Sequence, residues 1–412
     1  MRDSLIFGSD PHAVEAHSRR SANILLAAQD GDVQKVIELA ALKENLKLLD
    51  TALLTACFNG HWKCVEALIN MGASPDARRG EKTALMFACV FGSVLCANVL
   101  ITAGATVDAK TNDGLTALML SANEGHEPCA RALIEAEADV HAVDNDSCTA
   151  LMYACQKGNV SCVYTLIRAG ASVTHVDEEG ITSLMRSCQH GHVGCARALI
   201  DAGASVDRAT SDGVTALMFS AANGHDECIR ALTGAGADVN LAANDGCTAL
   251  MFSAKNGHDR CIRALTGAGA DVNLADYRGW TALIFSAMKG HDKCVRALIE
   301  ARANVNYLRR SWTALMFSAS NGHDECIRAL TDAGADVNHA DDEGWTALMC
   351  AAQRGHDECV RALIEAGADV NHANDAGETA VMWAAERGHD ECVSALEDAA
   401  LINRTVSGRP SS

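Results

Sequence analysis

The chain has 412 residues, 49 % of them apolar but only 4 % aromatic, which suits many thin helix–helix contacts better than one thick core. With 34 Lys+Arg against 53 Asp+Glu the formal charge is −19, so phosphate repels it; generic nucleic-acid binding and adsorption to anionic membranes are excluded. No apolar run is long enough to span a bilayer, the N-terminus offers only Leu5 to Phe7 as an apolar stretch, and eighteen cysteines without a secretion signal point to a reducing compartment, cytoplasmic or nuclear.

In chain order, residues 1–20 show no periodic pattern and are expected as a flexible tail. From Thr51 the string Thr-Ala-Leu-Met, or a near variant, recurs at Thr83, Thr116, Thr149, Thr182, Thr215, Thr248, Thr281, Thr313, Thr346 and Thr379. The spacing is 33 residues, with 32 at the first step and from Thr281 to Thr313. A fixed period in this range marks a stack of small units. In the unit at Thr215, the threonine is placed to cap a short apolar helix, Ala216 to Ala221, that Gly224 ends in the left-handed conformation. His225 opens a second helix with Asp226 and Glu227 in its first turn and Arg230 further on, an order that suits the helix dipole. Cys228, Ile229, Leu232 and Ala235 give that helix its apolar stripe. Gly236 stops it, and Ala237 to Asn240 lead into a turn, the finger, that runs to Gly246.

Helix, tight turn, helix and extended finger in 33 residues resemble the ankyrin repeat. The matching features are the Thr-x-Leu start, the Gly-His pair (Gly224-His225, Gly322-His323, Gly355-His356) and Gly-Ala-Asp-Val-Asn (Gly236 to Asn240, Gly367 to Asn371). The resemblance implies an all-α ankyrin-repeat solenoid with protruding β-turn fingers. It would hold a degenerate capping repeat at 21–49, with Leu25-Leu26-Ala27-Ala28 and Gly31-Asp32, eleven repeats at 50–403, and a tail at 404–412. The family motif has Pro and His where these units have Ala216 and Met218, so the family's histidine hydrogen bond in the first helix is expected to be absent. Glu137 and Arg302 stand where a stop glycine belongs, which predicts positive φ at a cost of ~1 kcal/mol each. The unit ending at Trp312 has no finger glycine, so its turn must differ. One unit cannot bury its own apolar face, so neighbours must stack, with fingers and first helices on an expected concave side.

His-x-x-Cys recurs nine times, from His61/Cys64 to His389/Cys392. Zinc needs about four converging ligands, each unit offers two, and the next pair lies a repeat away. The expectation is therefore no metal and no cofactor, with the cysteines as core residues and, from the resemblance, the histidines bonding backbone between repeats. The same spacing excludes disulfides along this ladder. No nucleophile elbow, phosphate-cradling loop or kinase signature is present, and the repeats leave no room for a catalytic domain. Fingers are free of packing duty, so the informative positions are those where near-identical units differ. Trp280, Trp312 and Trp345, three of the five tryptophans, stand just before a repeat threonine, beside Tyr277, Arg278, Tyr307, Arg309 and Arg310. Trp, Tyr and Arg dominate interface energetics. Met288, Lys289 and Arg354 fall at the exposed ends of first helices and are expected on the same side. The bland alternative packs each tryptophan against the neighbouring finger. Trp383 replaces a core Phe and Trp62 lies on a second helix. Arg186, whose equivalents are Phe219, Phe252, Phe285 and Phe317, is expected to snorkel to solvent, the other outlet being a carboxylate. The resemblance also marks Asn240, Asn273, Asn338 and Asn371 as sites of asparaginyl hydroxylation, although their pattern is plain fold consensus. The function expected is a monomeric, non-catalytic scaffold that binds a protein with an acidic or aromatic-binding segment. The rivals are a substrate-recruiting or regulatory subunit of a ubiquitin-ligase or kinase assembly, and a thiol-rich metal or redox buffer.

Overall fold

The computed structural model describes residues 23–41 and 46–407, with side chains to residue 402. The tail expected at 1–20 lies outside the described residues, as does the stretch from 408 onward. The chain divides into two compact units, Met1–Ser205 and Val206–Ser412.

In the first unit, residues 23–30 and Val33–Ala40 form one helix pair, and Leu46–Asn59 with Trp62–Asn70 the next. Four further pairs follow, from Ala84–Val90 with Val94–Thr102 to Ser183–Gln189 with Val193–Asp201. Thr51 departs from the sequence reading. It lies inside Leu46–Asn59 and its hydroxyl donates to Lys47 O at 2.8 Å, so it caps nothing. Residues 46–50, Leu-Lys-Leu-Leu-Asp, simply continue the helix backwards. Among the described residues the regular sheet is one hairpin, in which Arg78 pairs with Thr83 and Arg79 with Lys82. The second unit holds six pairs, from Ala216–Asn223 with Asp226–Gly234 to Ala380–Arg387 with Asp390–Ser407. That last helix runs past residue 403, where the sequence reading ends the repeats. Within each unit first helices pack on first helices and second on second, burying Leu, Ala, Met and Cys.

From Thr83 to Thr346 each first helix starts on its threonine for a local reason, whereas the Thr379 hydroxyl makes no cap bond. Thr83 Oγ1 accepts Met86 N–H at 3.2 Å, while Met86 Sδ accepts Thr83 N–H at 3.4 Å. Thr116/Met119 and Thr182/Met185 repeat the pattern. The methionine sulfur thus closes the reciprocal cap that a Glu or Gln side chain usually makes. In the repeats starting at Thr149, Thr215, Thr248, Thr313 and Thr346 only the threonine half of this cap is made.

Neighbouring repeats are keyed by the second histidine. His258 Nε2 bonds Ala222 O at 3.1 Å, and the ring lies over Gly224, whose φ is +80°. A Cβ on Gly224 would stand 2.8 Å from His258 Nδ1. His61, His126, His192, His291, His323 and His389 likewise reach a backbone oxygen of the preceding repeat. Asn159 takes the place in one repeat, donating to Ala122 O and Asn123 O.

Glu137 and Arg302 do adopt positive φ, 61° and 66°. The glycine-free finger turns through Arg310 (φ 45°) and Ser311 (φ 63°). Arg309 and Trp312 exchange both backbone hydrogen bonds around them, at 2.9 and 3.0 Å, as in a two-residue hairpin.

Candidate functional site

The site is built from fingers and first helices of the second unit. Asp276 shapes its finger: Oδ1 accepts the N–H groups of Arg278 (2.9 Å) and Trp280 (2.7 Å), and its own N–H bonds Trp280 O. This turn leaves Tyr277 79 % exposed and Arg278 exposed, and it directs Trp280 inward. Asp341 repeats the device, accepting from Glu343 N and Trp345 N.

The three tryptophans are half-buried. Trp280 stacks on Phe285 of its own repeat at 5.2 Å and 17°, and meets Phe317 of the next repeat at 5.2 Å. Trp312 packs on Phe317 and donates Nε1–H to Asp341 Oδ2 at 2.9 Å. Trp345 lies 4.9 Å from Trp383. Each ring therefore carries packing between repeats as well as any contact with a partner. The Arg309 guanidinium lies 3.7 Å over the Trp280 ring, and its Nε is buried without a hydrogen-bond partner. Burial, with Arg310 and Arg278 nearby, holds this guanidinium below the usual arginine range, against the pull of Asp276.

Arg310, Lys289 and Arg354 are exposed, whereas Tyr307 and Met288 are half-buried, the Met288 carbonyl accepting from His323. A cleft of about 470 Å³ opens between the fingers of Trp312 and Trp345. Arg310, Trp312, Trp345 and Arg354 line it, with Asp341, Asp342 and Glu343. Ser311 Oγ donates to Asp342. Burial first, then Asp341, pushes the Cys350 thiol in the same cleft up to about 12.

Asn240, Asn273, Asn338 and Asn371 are exposed. The side-chain oxygens of the first three accept backbone N–H from Asp271, Asn304 and Asp369 in the following repeat, each at 2.8 Å. These asparagines hook one finger to the next. Arg186 does not snorkel. It pairs with Asp177 at 2.7 Å, and the Asp177 side chain is 3 % exposed and also accepts Glu179 N and Ile181 N. The sequence reading gave these aspartates no structural role, taking Asp341 with Asp342 as carboxylates on a solvated finger. Their signal was an Asp five residues before the repeat threonine, at 144, 177, 276 and 341. One carboxylate oxygen shapes the finger and the other holds a side chain such as Arg186, Tyr153 or Trp312.

The ladder cysteines are buried, and burial followed by an aspartate of the preceding repeat pushes Cys261, Cys294, Cys326 and Cys359 up to about 12. Cys89 bonds Cys129, and Cys155 bonds Cys195, thiol to thiol between adjacent repeats. Spacing arguments within the ladder did not foresee these pairs, because each joins a first helix to the next second helix. Among the described residues no three His, Cys, Asp or Glu side chains converge to hold a metal ion.

Stacked helix pairs with hooked fingers define a repeat module that exposes side chains at its fingertips. A family model of ankyrin repeats matches residues 24–111, 96–177, 157–243, 235–309 and 303–374, and the chain belongs to the ankyrin repeat family. Among solved structures it is similar to the human ASB11 ankyrin repeat domain, at 25 % identity and a TM-score of 0.48, over 56 % of this chain and 100 % of that one. No curated protein matches the chain. Among the described residues no helix is long and apolar enough to cross a membrane.

Proposed function

We propose that the protein is a non-catalytic scaffold that binds a partner protein through the fingers and first helices of the repeats starting at Thr281, Thr313 and Thr346. Its own residues do three things there. The tryptophans, clamped between repeats, make a rigid floor; Tyr277, Arg278, Arg310 and Arg354 stand above it; and the cleft beside them admits a partner side chain. Ankyrin repeats serve protein–protein interaction, and a preorganised face loses little ordering entropy on binding. The observation that carries the reading is the exposure of Tyr277, Arg278, Arg310 and Arg354 around an aromatic platform in an acidic chain. In this reading the chain acts as a monomer in the cytoplasm or nucleus, with a cap at 21–49 and the binding array at 50–403.

Because the tryptophans also pack between repeats, the exposed residues make the cleaner test. A Tyr277→Ala, Arg310→Ala, Arg354→Ala variant should keep the parent's helicity and lose a partner that the parent captures, identified by crosslinking and mass spectrometry. If the variant captures everything the parent does, the face is wrongly placed.

A further inference from the structure

The repeats starting at Thr215 and Thr248 differ at six of 33 positions: Ala222/Lys255, Glu227/Arg260, Ala243/Asp276, Asn244/Tyr277, Asp245/Arg278 and Cys247/Trp280. Four of the six lie in the finger. The scaffold is unchanged while a neutral-to-acidic fingertip has become one that carries Tyr277 and Arg278 over Trp280. The next finger adds Arg309 and Arg310. Arg309 is laid flat on Trp280, its Nε buried and unpartnered, and Arg310 sits in a turn with two consecutive non-glycine residues at positive φ. Such strain persists where surrounding structure over-determines it, and it clusters at ligand clamps. Arg131, Arg186, Arg230, Arg263, Arg296, Arg328 and Arg361 all form ion pairs. Among the described residues Arg278, Arg309 and Arg310 form none, and nor do Arg78, Arg79, Arg168, Arg197, Arg208, Arg260, Arg302, Arg354 and Arg387; what sets the three apart is that Arg278 and Arg310 stand close enough to Arg309 to repel its charge. Three gathered guanidiniums without a paired carboxylate call for an anion from outside.

The surroundings say which anion. Asp341, Asp342 and Glu343 line the cleft next to Arg310, so a run of carboxylates entering it would be repelled. A single side chain carrying two negative charges, with basic neighbours on one flank, fits both halves. Resting on the binding face proposed above, we infer that Arg278, Arg309 and Arg310 hold the phosphoryl group of a phosphoserine- or phosphothreonine-bearing segment of the partner, whose basic flank lies against Asp341, Asp342 and Glu343.

The test uses the full chain and fluorescein-labelled degenerate peptide libraries read by anisotropy. The central residue is phosphoserine, serine or glutamate, and one flank is biased to Lys/Arg or to Asp/Glu. The phosphoserine library with a basic flank should bind at least about tenfold more tightly than any other. An Arg278→Ala, Arg310→Ala variant of parental helicity should lose that advantage, and Asp342→Asn, Glu343→Gln should lose the flank preference alone. Equal binding of serine or glutamate libraries, no binding of any library, or an advantage that survives loss of the arginines overturns the inference. Phosphatase treatment of the lysate separates it from the broader reading. Capture that survives the phosphatase but is lost in the Tyr277→Ala, Arg310→Ala, Arg354→Ala variant keeps the face and removes the phosphoryl group.

Discussion

Two glycines of one repeat show how closely side chain and backbone are matched. Gly355 and Gly367 both have positive φ, 73° and 92°. A Cβ on Gly355 would stand 2.6 Å from His389 Nδ1, while one on Gly367 would meet nothing within 4 Å. Gly367→Ala should therefore cost only the backbone term, ~1 kcal/mol. Gly355→Ala must also push the histidine off its bond to Gln353 O, and should cost about 2–3 kcal/mol in all. Urea denaturation of both variants checks the difference, and equal losses would remove the ring-over-glycine key. The Gly-His pair was legible in the sequence, because it recurs at a fixed place. The destination of Arg186 was not. Its partner Asp177 lies in the finger nine residues earlier, and only the folded turn aims that carboxylate at the first helix.

At the scale of a helix and its turn, the departures from the repeat pattern were the readable part. A missing stop glycine predicts left-handed strain wherever it occurs, and Glu137 and Arg302 are strained. Glu137→Gly and Arg302→Gly should each raise stability by ~1 kcal/mol, seen as a higher midpoint in thermal melts. A lower midpoint would mean that these side chains make contacts worth more than the strain. The fingers were read only halfway. Trp280, Trp312 and Trp345 were marked as special, yet their inward packing depends on Phe317, Asp341 and Trp383, which lie about one repeat further on. Partners that far apart are set by how repeats stack, so no local pattern reports them. The methionine cap is a similar case: the sequence shows a methionine where the family has histidine, but not that a sulfur would accept the threonine N–H.

For the molecule as a whole, the period of 33 residues contained the fold, and composition named the packing material. Eighteen cysteines suggested either inert core or thiol chemistry. The described thiols are buried or half-buried, and most are pushed well up by burial and nearby carboxylates; Cys129 and Cys195 are instead lowered, first by their bonds to Cys89 and Cys155. Thiolate, not thiol, is the reactive form. At neutral pH the folded protein should therefore react slowly with iodoacetamide, first at the half-buried Cys148 and Cys247, and all eighteen should label once the chain is denatured. Rapid native labelling of many sites, read by mass spectrometry, would instead favour a thiol buffer.

The ring-over-glycine fit recurs at most seams within each unit, Ser93 and Asn159 standing in for the histidine at two, so repeats that share it offer one another matching faces. An in-frame duplication or loss of 33 codons among them would leave each remaining seam with a matching partner. The array can thus lengthen or shorten in whole steps without relearning how to fold, while its fingertips diverge copy by copy. The near-twins at Thr215 and Thr248 have the form that such a copying event leaves behind.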